Sequence, residues 1–64
     1  MTRDEWEKAV RIACYNKGET LVTVAKGINY SISHIRKVAS GCVESKRAED
    51  AISNYLGIGL IERG

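Results

Sequence analysis

The sequence contains no proline and no low-complexity run, and no apolar stretch approaches the ~20 residues that a membrane span needs. Its charged beginning, MTRDEWEK, lacks the apolar segment of a secretion signal. The expectation is a soluble, cytoplasmic protein. Cysteine is scarce: Cys14 and Cys42 allow one disulfide at most, and in a cytosolic setting both are expected reduced and packed. His34 is the single histidine and no CxxC or HxxxH spacing occurs, so no metal site is expected. A glycine-rich phosphate loop and a paired-carboxylate site are also missing. Ser33 and His34 are adjacent, so on a helix they do not face each other as nucleophile and base. Neither catalysis, nor a cofactor, nor a small-molecule ligand is expected.

What is present fits one domain, residues 1–64, with one modest core. A chain this short buries only about 60% of its unfolded surface, so association often helps it. Net charge is only +2, but it is unevenly placed. Residues 1–19 balance: Arg3, Lys8, Arg11 and Lys17 stand against Asp4, Glu5, Glu7 and Glu19. Residues 26–47 hold Lys26, Arg36, Lys37, Lys46 and Arg47 against Glu44 alone, a local excess of +4. Residues 48–64 lean acidic. A basic patch suits a polyanion such as nucleic acid, although it also suits a merely solvated face.

The periodicity is helical throughout. Thr2 and Glu5 have the spacing of a capping box, and Trp6, Ala9, Val10 and Ala13 make a buried stripe for a helix over about 3–16, stopped by Gly18. Asp4–Lys8 and Glu7–Arg11 are i, i+4 pairs on its outer face. Thr20 caps a short helix over about 21–28, with Leu21, Val24, Ala25 and Ile28 inward and Val22 on the flank. Gly27 weakens this helix by about 1 kcal/mol relative to alanine, which points to a close neighbour. Asn29 tolerates the left-handed conformation and can end the helix. Ser31 caps the next, over about 32–40, with Ile35 and Val38 inward, Ala39 for close approach and Gly41 as its stop. Ser45 caps a fourth, carrying Ala48, Ala51, Ile52, Tyr55 and Leu56 and ended by Gly57. Tyr15, Tyr30 and Tyr55 read as core plugs with hydrated hydroxyls, and Trp6 as core. The apolar end, Ile58, Leu60 and Ile61, reads as a docked tail, a short strand or a dimer surface.

Val24, Ala25, Ile28, Asn29, Tyr30, Ile35 and Val38 stand at the spacing of the helix-turn-helix motif. With Gly41 after the second helix and AISNYLGI near the end, residues 4–58 resemble the lambda-repressor-like domains. Among them they are most similar to the small phage regulators of the Cro and Ner type. Asn29 stands where that family usually has glycine. The resemblance implies an all-α, compact fold of four or five helices with a short apolar C-terminal tail. It also implies a sequence-specific regulator of double-stranded DNA, acting as a repressor in a phage or mobile element.

In that family the second helix of the pair enters the major groove with its N-terminal residues toward base edges. Matched by position, Ile32, Ser33, Arg36 and Lys37 are the base-contact candidates. Arg36 can donate two bonds to guanine O6 and N7, Ser33 can bond several bases and Ile32 can meet a thymine methyl. Lys26, Ser31, His34, Lys46 and Arg47 are phosphate candidates. A homodimer is expected, with recognition helices about 34 Å apart on a near-palindromic site. Ile58, Leu60 and Ile61 are its candidate interface. Two other functions fit the same pattern: a helix-turn-helix scaffold that binds protein, such as a phage-encoded inhibitor of a host protein, and an architectural or excision factor that bends its site.

Overall fold

Four capped helices account for most of the chain: α1 (Arg3–Lys17), α2 (Leu21–Ile28), α3 (Ile32–Ser40) and α4 (Lys46–Leu56). The computed structural model describes residues 2–60, and the described residues include no strand. The protein is all-α. None of its described helices is long and apolar enough to cross a membrane.

Each helix begins on a hydroxyl. At α1 the capping box closes both ways: the Glu5 N–H donates to Thr2 Oγ1 at 3.2 Å, and the Thr2 N–H donates to Glu5 Oε1 at 2.8 Å. Thr20 caps α2, and the partner that reaches back is Thr23, not a carboxylate. Ser31 accepts from the His34 N–H at 3.3 Å, and Ser45 from the Ala48 N–H at 3.4 Å. Each helix also ends on a left-handed residue, three on glycine and α2 on Asn29 (φ 61°, ψ 45°). Beyond Ile28 the Tyr30 N–H donates to the Ala25 carbonyl at 2.9 Å and the Asn29 N–H to the Lys26 carbonyl at 3.3 Å. These two bonds satisfy the last carbonyls of α2 while the chain turns away. α2 and α3 are therefore two separate rods joined by a three-residue corner.

The core draws on every helix. Trp6, Val10 and Cys14 come from α1, Val24 and Ala25 from α2, Ile35, Val38 and Ala39 from α3, and Ala48, Ile52 and Leu56 from α4. Full burial of a side chain such as Ile35 contributes about 1.5–3 kcal/mol. The Trp6 indole is fully buried and donates to the Val38 carbonyl at 3.3 Å, tying α1 to the last turn of α3. The inner face of α3 packs on α1, α2 and α4.

Several expectations need correction. The buried stripe of α1 is Trp6–Val10–Cys14, an i, i+4, i+8 line, while Ala9 and Ala13 are only half-buried on its flank. Tyr15 lies on the far side of α1 from this line and is 85% exposed, so it is no core plug. Cys14 is packed as expected, but Cys42 is exposed, and both are free thiols. The close neighbour of Gly27 is Tyr55: a Cβ at Gly27 would lie 2.5 Å from the Tyr55 ring. Tyr55 continues past Gly27 and its hydroxyl donates to Glu19 Oε1, which raises the phenol pKa through that bond. At the far end Ile58 packs against the core, and the Ser53 hydroxyl donates to its carbonyl. Ile58 is thus docked on its own domain and half-buried there. Leu60 is 48% exposed, and Ile61 lies outside the described residues.

Candidate nucleic-acid interface

The corner decides what α3 can present. With Ile35, Val38 and Ala39 held inward, a 3.6-residue period turns Ser33, Arg36, Lys37 and Ser40 outward together. All four are exposed. Ser33, Arg36 and Lys37 were expected on this face. Ser40 was not, because it stands beside the stop at Gly41 and reads as the end of a helix. Its hydroxyl donates to the Lys37 carbonyl at 3.1 Å, within the last turn. A count in steps of three and four from Ser33 would have found it.

Ile32 does not stand on that face with them. It is half-buried and packs against the core, because it lies three residues before Ile35 on the inward flank. His34 lies on the opposite flank. It is also half-buried, and its ring stacks on Tyr30 with centroids 5.9 Å apart and planes 13° apart. Tyr30 itself packs against the core, so the stack extends the core out to His34 and fixes that imidazole at the corner.

The remaining candidates lie on three elements. Ser31 uses its oxygen as the cap of α3, and its hydroxyl proton remains available to an outside acceptor. Lys26 is exposed in the last turn of α2. Lys46 and Arg47 are exposed in the first turn of α4. Two cations there oppose the positive end of the helix dipole, at a cost of about 0.3–1 kcal/mol each. Glu49 offsets part of this: it is buried, and one of its carboxylate oxygens accepts from the Ser45 N–H at 3.1 Å.

Electrostatically, the basic segment differs from α1 in how its charges are used. No ion pair joins Lys26, Arg36, Lys37, Lys46 or Arg47 to a carboxylate among the described residues. Arg3, by contrast, pairs with Glu44 and donates to the Gly41 carbonyl, which pins the start of α1 to the loop after α3. Arg11 pairs with Glu7 at 2.9 Å. Glu44 was the one acid counted inside the basic segment, and Arg3 engages it from outside. With no ion pair among the described residues, these cations keep the segment's positive charge available to an external anion. No protein-family model matches the chain, and neither a curated protein nor a solved structure matches it.

Proposed function

We propose that the protein is a sequence-specific double-stranded DNA-binding regulator, a repressor of the lambda-repressor-like helix-turn-helix kind, with α3 in the major groove. The observation that carries this reading is the outward face of α3. Ser33, Arg36, Lys37 and Ser40 are exposed on a helix whose angle is held by the Asn29 corner and whose other sides are packed. A helix of this kind fits a groove about 12 Å wide, and Arg36 is the side chain that discriminates guanine. Lys37 reaches a base edge or a phosphate. Lys26, Ser31, Lys46 and Arg47 serve as phosphate contacts. The unfavourable placement of two cations at the start of α4 makes sense if a phosphate meets them there. His34, fixed by its stack on Tyr30, supports the corner and reaches a phosphate only from the rim.

Such a regulator works in the cytoplasm, where a phage or mobile element is transcribed. One module of this size offers a small contact, so a second copy is part of the proposal. Ile12, 58% exposed on α1, and Leu60 supply the apolar surface for it. Ile12 shares a shallow groove with Ala9, Ala13, Leu56 and Ile58 on the flank of α1 opposite Glu7 and Cys14. No α3 residue lines this groove, so it is a surface separate from the proposed DNA face.

Selection from random duplexes at two salt concentrations tests the function. Enrichment of a near-palindromic site with half-sites about 34 Å apart is expected, with affinity falling linearly in log–log form as salt rises. No enrichment at either salt concentration would remove the reading.

A further inference from the structure

Arg36 has a second environment. Besides the outward face of α3, it lines a cleft between α1 and α3 that holds about 360 Å³ of open space, within the size range of small-molecule sites. The floor is apolar: Val10, Cys14 and Ala39 are buried and Leu21 is half-buried. Charge stands only at the rim. Glu7 and Arg11 are there, but they pair with each other at 2.9 Å. That leaves Arg36 on the α3 wall and Glu19 on the loop between α1 and α2. The Tyr55 hydroxyl holds one oxygen of Glu19 and so anchors the carboxylate in place. Its charge is felt at the floor, where burial first and Glu19 second push the Cys14 thiol up.

These groups sort ligands by chemistry. A phosphate would meet Arg36 but would also face the Glu19 carboxylate. A purely apolar molecule would fill the floor and leave Arg36 and Glu19 unused at the rim. A small molecule with an anionic and a cationic group beside an apolar body leaves nothing unmatched. We propose that this cleft binds a free α-amino acid with an apolar side chain, carboxylate on Arg36, ammonium on Glu19 and side chain on the floor. Arg36 cannot hold that carboxylate and a guanine edge at once, so the bound amino acid weakens DNA binding. This regulatory half rests on the DNA reading; the binding half does not.

The test uses the full chain, titrated with L-leucine and L-tryptophan and followed by calorimetry and by amide NMR shifts. A dissociation constant of about 1 mM or tighter is expected, with shifts centred on Val10, Leu21 and Ala39. Leucinamide lacks the carboxylate and 4-methylpentanoate lacks the ammonium; each should bind about tenfold more weakly or worse. Arg36→Ala and Glu19→Gln should each lose a similar factor for L-leucine, with circular dichroism checking that both fold. No binding at about 10 mM, equal binding of the two analogues, or shifts confined to other faces would overturn the site. If saturating L-leucine leaves duplex affinity unchanged, the regulatory half is overturned. If the amino acid binds and no duplex does, the site stands and the DNA reading falls.

Discussion

Helix α1 and the segment from Lys26 to Arg47 carry similar numbers of cations, yet both arginines of α1 are engaged by carboxylates, whereas Lys8 and Lys17, like the cations of the other segment, are exposed and make no ion pair among the described residues. On α1, Arg3 is taken up by Glu44 and the Gly41 carbonyl, and Arg11 by Glu7. Glu5 is taken up by the cap at Thr2. In the other segment, the cations at Lys26, Arg36, Lys37, Lys46 and Arg47 are exposed and make no ion pair among the described residues. A count of charges along the sequence does not separate these cases. Proximity in the fold does, because an ion pair needs its partner within about 4 Å. Arg3 contributes to assembling the domain by joining α1 to the loop after α3, and the charge on the other segment remains available to a partner.

The largest expected effect that would break this contrast is on DNA affinity. Arg36→Ala should cost about 1–3 kcal/mol on the preferred site and relax the choice of base at one position. Arg11→Ala, also an arginine on an exposed helix face, should change affinity little. Fluorescence anisotropy with selected and scrambled duplexes compares them; equal losses would show that the two regions do not differ in function.

Next in size, Lys46→Ala and Arg47→Ala should weaken binding to all sequences alike and each lower the salt slope by about one. Both changes should also relieve repulsion at the start of α4, so thermal stability should hold or rise slightly. A fall in stability with an unchanged slope would make these residues structural.

Arg3→Ala is the reverse case. It should lower unfolding free energy by about 0.5–1 kcal/mol in a urea titration and leave the DNA salt slope unchanged. A double-mutant cycle with Glu44→Ala measures how much of that belongs to the pair.

The smallest effect concerns pH. The Thr2 backbone N–H, and then its hydroxyl, lower the pKa of Glu5 below its ordinary value. A carboxylate lowered in the folded state binds protons less readily there than in the unfolded chain. Its contribution is therefore full above the unfolded carboxylate pKa and is lost as pH falls through the folded one. Acid unfolding of Glu5→Gln should show a shallower loss of stability over that window than the parent. Identical curves would mean that the capping box does not form in solution.

Legibility followed locality. The Thr2–Glu5 box, the Asn29 corner and the Ser31 cap each depend on residues within a few positions, so the sequence carries them openly. Gly27 announced a close neighbour without naming it, because Tyr55 is 28 positions away and on another helix. Glu49 reads as one more surface acid, and only the turn at Ser45 brings it inward as a partner of the backbone. The α1 stripe was misjudged by one position because Ala9, Ala13 and Cys14 are all small enough to fit either line. The outward α3 face was legible at Ser33, Arg36 and Lys37 and obscured at Ile32, whose apolar side chain suits a groove or a core margin equally.

The amino-acid sequence by itself determined where each helix starts and stops, since caps and left-handed stops are satisfied by backbone groups a turn away. It also determined that Arg36 and Lys37 face away from Ile35 and Val38, since that is a matter of helical period. Tertiary structure alone decided that Cys14 rather than Ala13 completes the buried stripe of α1, what Gly27 makes room for, and that Arg3 pairs with Glu44. Those outcomes depend on how four rods pack, and packing is settled by shape and distance between residues that the chain keeps far apart.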